Sequence, residues 1–513
     1  MPKQIKYITK RRVGFTLLFL AIVGILVTLF IYHPQLVTIS SIWAVLSAIS
    51  VITITAVIII ERKNSAHTFA WLLVLLFLPG VGIFFYLILG RNFRKRKMFS
   101  DKELKDRNEF KGVYEFLNHG YEDKGLFQLP LSYKISSLLK NNSKAFLSER
   151  NSVEIYPDGE KLFPIMFEDL RRAKKHIHLE YFAFANDELG NELSDILIKK
   201  AEEGVDVKLI VDDVGSWKFR FKLGKKLSKL GVKCYYFNKA RLPFFNSRFN
   251  YRNHRKITVI DGTIGFLGGL NIGDKYTGRD KYFGYWRDTH MRMEGGSVQG
   301  LQTVFLTDLY FVSNEYCFEK KYYPDIIKEH KKLPMQIVTS GPDSSWESIM
   351  QIYFTAITNA RESIYMTSPY LILPDGLTMA LVTAALSGID VRIILPGKPD
   401  HLIVFWGSKS FYQELIEAGV KIYEYHNGFI HAKTMVIDEE ICSIGTANMD
   451  IRSFLQNFEI NGIIYDHDTT VSMKKQFEED MSKSKLIKLE DINKLGFFTN
   501  LKIGLARMFA PIL

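Results

Sequence analysis

The sequence predicts an α/β fold made of two pseudo-symmetric lobes that share one active site, preceded by N-terminal transmembrane helices. Three observations predict it. First, "HRKITVIDGTIGFLGGLN" (254–271) and "HAKTMVIDEEICSIGTAN" (431–448) repeat one spacing of polar residues on stretches rich in strand formers. Second, each repeat is preceded by the same alternation of helical pattern, glycine and β-branched run, which is the signature of a layered α/β unit. Third, the chain opens on long apolar stretches bordered by positive charge.

In chain order, residues 1–100 read as a membrane anchor. "VGFTLLFLAIVGILVTLFIY" (13–32) and residues 36–60 carry no charge. Each is long enough to cross a hydrocarbon core of about 30 Å at about 1.5 Å per residue. No small-residue cleavage site follows the first, and a second span comes at once, which argues against a removable signal peptide. The third stretch (68–90) is broken by Pro79-Gly80; it is either a kinked third span or a re-entrant hairpin. The hairpin keeps Arg11 and Arg12 on the same cytoplasmic side as "RNFRKRK" (91–97), in line with the positive-inside tendency. The expectation is two spans plus a hairpin, a multi-pass protein of the cell membrane with its lobes in the cytoplasm.

Charge supports the same division. The chain of 513 residues has a net charge of +12, of which +11 falls in residues 1–100. The remainder is nearly neutral, unlike a nucleic-acid binder, whose phosphate contacts need a broad basic surface. The basic excess therefore belongs with anionic membrane lipids as partners, and no nucleic acid is expected. The three cysteines, Cys234, Cys317 and Cys442, are few and scattered, as in a reducing compartment.

Residues 101–149 read as a linker, 150–335 as the first lobe and 336–482 as the second. "EEGVDVKLIVDD" (202–213) matches "LSGIDVRIILPG" (386–397), and "KLGVKCYYFN" (229–238) matches "EAGVKIYEYH" (417–426). Leu189, Leu193, Ile196 and Leu197 before Gly204 have the helical spacing of Leu377, Leu381, Ala384 and Ala385 before Gly388. Gly231 and Gly419 lie 188 residues apart but His254 and His431 only 177, so the first copy carries 11 extra residues just before its motif. Residues 483–513 form an amphipathic tail that either lies on the bilayer or packs on a lobe.

On a strand, residues two apart share a face, so His254 projects with Lys256 and His431 with Lys433. Asn271 and Asn448 arrive from the next strand. Two such half-sites around one center suit a phosphodiester. Ammonium and amide groups neutralise the nonbridging oxygens, one imidazole attacks phosphorus and the other protonates the leaving oxygen. The lysines then supply the positive charge, and no cofactor or metal is expected.

These motifs resemble the phospholipase D superfamily, whose duplicated mark is His-x-Lys-x4-Asp followed by a Gly-rich pair and Asn. Within it they are most similar to the bacterial cardiolipin synthases. The resemblance covers nearly the whole chain. "ERKNSAHTFAWLLVLLFLPGVGIFFYLILGRN" (61–92) is similar to the membrane-anchoring segment of those proteins, and the segment at 13–32 goes beyond the two that many of them carry. The resemblance implies two phospholipase D-like lobes with His254, Lys256, Asp261, His431, Lys433 and Asp438 as the catalytic set. Asn271 and Asn448 would bind substrate, and Asp261 and Asp438 would mainly brace the fold. It implies a phosphohistidine intermediate, more often on the first motif's histidine, and an acidic residue further on that orients each histidine. Glu459 follows Asn448 at the family's spacing; Asp288 is the candidate of the first half. The implied reaction joins two phosphatidylglycerol molecules into cardiolipin and glycerol. A phospholipase D-type hydrolase or transferase that uses water or another alcohol is the alternative.

Other residues have blander readings. His176 and His178 fit hydrogen-bonded positions on a half-buried strand. His401, in "PDHL" after a strand end, is a candidate for substrate contact. Phe244, Phe245, Phe249 and Tyr251 among Arg241, Arg248 and Arg252 suit either stacking on single-stranded bases or an interfacial loop, and the membrane reading is preferred.

Overall fold

The computed structural model describes residues 130–239, 251–314, 318–325 and 330–509, with isolated helical positions between 41 and 75. The expected spans therefore lie almost wholly outside the described residues, as do Phe244, Phe245 and Phe249. Among the described residues no helix is long and apolar enough to cross a membrane. The chain divides into two compact units, Met1–Arg91 and Asn92–Leu513.

The second unit is organised by one sheet of 15 strands. Its first half supplies β1 (Leu147–Tyr156), β2 (His176–Tyr181), β3 (Asp206–Asp212), β4 (Lys233–Phe237), β5 (Lys256–Ile260), β6 (Ile264–Gly268), the short β7 (Trp286–Arg287) and β8 (His290–Gly295). The second half supplies β9 (Lys332–Ser340), β10 (Ser363–Thr367), the short β11 (Leu371–Ile372), β12 (Asp390–Pro396), β13 (Lys421–Tyr425), the short β14 (Phe429–Ile430), β15 (Thr434–Ile437), β16 (Ile441–Gly445), the short β17 (Met449–Asp450), β18 (Glu459–Ile464) and β19 (Ser484–Ile487). The strand order is β19-β13-β12-β10-β15-β16-β18-β9-β1-β8-β6-β5-β2-β3-β4, with β1 against β9 at the center. Reading outward from that pair, each half repeats the other, and β19 alone is added at one edge. The two lobes thus share a continuous sheet.

Local sequence explains the elements. Strands β2, β3 and β4 pair in parallel; β2 (HIHLEY) is buried at every position and β3 (DVKLIVD) at all but its first, while β4 (KCYYF) is the half-buried edge. The helix α1 (Glu188–Glu202) is capped by Asp187, whose side chain accepts from Gly190 N–H, and the chain leaves it through Gly204 at φ +87°. Its counterpart α2 (Asp375–Leu386) leaves through Gly388 at φ +89°. Both helices bury the leucines expected of them.

Residues 130–142, read above as part of a linker, form a helix. Its Leu131, Ile135 and Leu139 join the core of the second half beside Ile352, Ile364 and Met366. Spaced at i, i+4 and i+8, they make an apolar stripe that needs a partner surface.

Candidate active site

Both motif strands end in a turn that explains the aspartate. Asp261 and Asp438 sit at φ +54° and +51°, a left-handed conformation that Asp tolerates better than most residues. Asp261 accepts the amide hydrogens of Lys174 (2.8 Å), Lys175 (2.7 Å) and His176 (3.0 Å), fixing the start of β2. Asp438 accepts those of Arg361 (2.7 Å), Glu362 (2.9 Å) and Ser363 (2.8 Å) at the start of β10. Both lie at the far end of a strand from the histidine and lysine. Their oxygens are taken up by backbone amides, an arrangement that suits the bracing part expected of Asp261 and Asp438 within the motif set.

The other motif residues converge where the two halves meet, and the halves cross there. His254 N–H donates to Phe458 O and Phe458 N–H to Arg252 O, both at 2.9 Å. Likewise Phe429 N–H donates to Tyr285 O (2.9 Å) and His431 N–H to Arg287 O (2.7 Å). Each histidine-bearing segment is thus laced to the segment of the other half that carries an acid. His254 Nδ1 lies 3.1 and 3.0 Å from the two carboxylate oxygens of Glu459. His431 Nδ1 lies 2.8 Å from Asp288 Oδ2. The sequence had assigned Glu459 to the second half's histidine and Asp288 to the first's; the structure exchanges them. Spacing along the chain cannot show that exchange, because the β7–β14 pairing and the 253–458 bridge create it.

The lysines sit close behind. Lys256 Nζ donates to His254 O at 2.7 Å, and Lys433 Nζ donates to His431 O and stands 2.8 Å from His431 Nδ1. Burial pushes Lys256 down to about 7 against the pull of Glu459, with Lys433 adding to the fall. Burial likewise brings Lys433 down to about 8, opposed by Asp288 and Glu459. His431 falls to about 3, first through burial and then through Lys433, with Asp288 opposing. Burial also lowers His254, although Glu459 resists it. Burial alone would raise Glu459 and Asp288. For Glu459 the opposing charge of His254 wins, for Asp288 that of Lys433, and both stay below the usual carboxylate range.

Hydrogen-bond logic separates the two imidazoles. Nδ1 of His254 faces only carboxylate oxygens, so it carries the proton and leaves the Nε2 lone pair free. Nδ1 of His431 faces both a carboxylate and an ammonium. It donates to Asp288 or accepts from Lys433, but not both, and Nε2 takes the complementary state. One ring thus keeps a free lone pair at Nε2, and the other can exchange a proton.

The asparagines differ too. Asn271 Oδ1 accepts from Ala183 N–H (3.0 Å), which leaves its amide N–H groups to donate, one of them to the buried Tyr276 Oη (3.2 Å). Asn448 is buried with Oδ1 unpaired.

The sequence reading overlooked several supports. Arg255, between His254 and Lys256, points to the opposite face of β5 and pairs in the interior with Asp308 while its Nε donates to Glu459 O at 3.3 Å. Asn253 donates to Glu180, and its own N–H goes to Asp212 Oδ2 at 3.0 Å. Arg287 grips Asp480 of the other half at 2.7 Å. Charged residues inside otherwise apolar motif strands were the available signal. Tyr251 and Arg252, assigned to an interfacial loop, are buried instead, with Arg252 paired to Asp212 at 3.3 Å. His176 and His178 share Gln302, as a structural role requires. His401 is 73% exposed at the start of the helix Leu402–Lys409, with its Nε2 4.0 Å from Asp400 Oδ2.

Two half-sites of one design, crossed at the center of a doubled sheet, define a phospholipase D-like protein. The model of the family described as "Cardiolipin synthase, PLD-like domain" matches residues 166–282 and 353–481, and that described as "Phospholipase D-nuclease N-terminal" matches 41–91. A cardiolipin synthase of Geobacillus sp. (strain WCH70) is 42% identical over 474 residues, covering 92% of this chain and 93% of that one. Cardiolipin synthase 2 of Staphylococcus epidermidis (strain ATCC 35984) is 42% identical over 462 residues, covering 89% and 94%. The crystal structure of phosphatidylserine synthase from Haemophilus influenzae Rd KW20 superposes with a TM-score of 0.56 at 16% identity, covering 74% of this chain and 99% of that one, a likeness of fold. The chain belongs to the cardiolipin synthase family of phospholipase D-like proteins.

Proposed function

We propose that this chain is a phosphatidyltransferase that makes cardiolipin from two molecules of phosphatidylglycerol. His254 Nε2 attacks the phosphorus of the first; the bond to the headgroup glycerol oxygen breaks, and His431 gives that oxygen its proton. The primary hydroxyl of the second molecule then loses its proton to His431 and attacks the phosphatidyl-histidine. The P–N bond breaks, and cardiolipin and one glycerol result. Lys256, Lys433 and Asn271, with Asn448, hold the nonbridging oxygens as charge moves through them.

The observation that carries this reading is the crossed pair of histidine–carboxylate arms with unequal surroundings at Nδ1. It fits an acyl-glycerol phosphodiester as donor and a lipid alcohol as acceptor, and relatives of this chain carry the name cardiolipin synthase. Residues 1–100 act as the anchor, with the lobes at 150–335 and 336–482 on the cytoplasmic side of the cell membrane, where lipid hydroxyls are concentrated at the site.

The test is the purified full chain in vesicles of phosphatidylglycerol alone, with EDTA throughout. Cardiolipin and free glycerol in equal amounts are expected, with reversal on adding excess glycerol, because the bonds exchanged are alike. Phosphatidic acid as the only lipid product would replace the synthase with a hydrolase, and a strict need for Mg²⁺ or Ca²⁺ would overturn the role given to the lysines.

A further inference from the structure

The C-terminal helix exposes more large apolar side chains than packing on a lobe explains. In the helix Phe497–Phe509, Phe497 is 75% exposed, Phe498 76% and Met508 72%, and Leu501 and Leu505 are about half exposed. Positions 498, 501, 505 and 508 follow helical spacing, so these residues form one stripe. The other side of the helix docks. Ala506 is buried, Arg507 Nη1 donates to Ser410 O at 2.6 Å, and the Arg507 guanidinium lies 4.8 Å over the Phe411 ring. Lys502 Nζ stands 5.8 Å from the Trp406 ring. The stripe is therefore a second, outward face.

The helix that receives it, Leu402–Lys409, continues the surface with Leu402 and Ile403, 66% and 56% exposed. That helix starts at the rim of the site. Just before it, Lys398 Nζ donates to Tyr282 O and Phe283 O, both at 2.7 Å, and Tyr282 Oη donates to Pro399 O at 3.0 Å. Phe283 packs edge-on against Trp286 at 5.2 Å, and Trp286 lies 5.1 Å from the His431 ring. The exposed apolar surface thus leads directly to the wall around His431. Residues 483–509 also carry a net charge of +4.

We propose that these two helices form an interfacial contact with the anionic lipid bilayer, separate from the N-terminal segments, which seats the His431 rim of the site on the membrane. Apolar side chains on one face, basic charge around them and a docked opposite face are the features of a helix lying in the headgroup layer. The proposal rests on the reading of a lipid substrate, since a rim pressed to the bilayer serves a substrate that lives there. It names the surface by which that substrate enters.

The full chain in vesicles of phosphatidylcholine and phosphatidylglycerol tests it, with one bimane label at Phe498→Cys or, as reference, at Glu192→Cys on the exposed face of the helix Glu188–Glu202, each read against the unsubstituted chain. Lipids with brominated acyl chains should quench the label at 498 several-fold more than that at 192. Equal quenching would overturn the proposal, whether the stripe is covered by a second copy or by another segment of this chain. In a kinetic arm, Phe497→Ser/Phe498→Ser/Met508→Ser should lose roughly tenfold in activity on vesicles dilute in phosphatidylglycerol, with turnover of monomeric short-chain phosphatidylglycerol unchanged. Equal loss on both would count against it. Quenching is read without turnover, so a chain that made no cardiolipin yet was quenched at 498 would remove the reaction and keep the surface.

Discussion

In the first half Asp288 lies against Gly269, where an added Cβ would come within 2.0 Å of its Oδ1. In the second half Thr446 stands at the matching position and its hydroxyl donates to Glu459 Oε2 at 2.6 Å. A shorter acid goes with the smaller residue and a longer acid with a hydroxyl that steadies it. The two arms also differ two residues further on. Asn461 donates to Tyr353 Oη and Ser443 Oγ at 3.1 and 2.9 Å, whereas both ring nitrogens of His290 are buried without a hydrogen-bond partner. The duplication keeps the reacting groups and varies what stands behind them. The comparison teaches that symmetry in sequence need not mean equal roles: Glu459 holds His254 in one tautomer, while Asp288 shares His431 with Lys433.

The largest expected effect comes from removing either ring. His254→Ala and His431→Ala should each lower kcat by roughly a thousandfold or more, because nucleophile and proton donor act as a unit. An active His431→Ala protein would break the paired site.

Next are the acids. Glu459→Gln should cost roughly a hundredfold in kcat/KM by releasing the tautomer of His254, and Asp288→Asn less, because Lys433 still addresses His431. The crossing makes a sharper demand. Glu459→Gln added to His254→Ala should cost almost nothing further, and Asp288→Asn added to His431→Ala likewise. Additive losses within these two pairs, with non-additive losses in the uncrossed pairs, would restore the assignment expected from spacing.

The pH profile is the third test. With Lys256 at about 7 and Lys433 at about 8, the ammonium pair is present below that range and lost above it. The free-enzyme kcat/KM should therefore fall on the alkaline side, with apparent pKa values belonging to the coupled pair. His254 is lowered below its ordinary 6.5, so the acid limb should lie under that value. Lys256→Arg, which stays charged at any accessible pH, should carry the alkaline limb upward. An unchanged limb would mean another group titrates there.

The braces should matter least to chemistry. Asp261→Asn and Asp438→Asn each weaken three bonds to backbone amides, so each should cost about 1–3 kcal/mol of stability, read as a lower unfolding midpoint, with kcat nearly unchanged. A catalytic loss in one half alone would show that its aspartate does more than brace.

Much of this architecture was legible in the sequence. The helix-ending Gly204 and Gly388, the apolar runs of β3 and β12 and the paired His-x-Lys strands follow from local periodicity and turn chemistry. What was not legible came from contacts between distant segments. Glu459 lies 205 residues from His254 and Asp288 143 from His431, and no spacing rule says which acid crosses to which ring. Arg255 was passed over for a different reason. Strand alternation points it away from its two famous neighbours, and its partner Asp308 sits on a helix with no motif of its own. Tyr251 and Arg252 were misplaced because an aromatic and basic composition is shared by interfacial loops and by buried ion-pair layers.

The central claim is that one histidine attacks and the other moves protons. Phosphatidylglycerol labelled in its phosphatidyl part should be mixed with wild-type chain and with His431→Ala, quenched in alkali within the first turnovers and mapped by mass spectrometry. The account predicts a phosphatidyl group on His254 in both, longer-lived in the variant because its acceptor step lacks a base. A phosphatidyl group on His431 in the wild-type chain would contradict it.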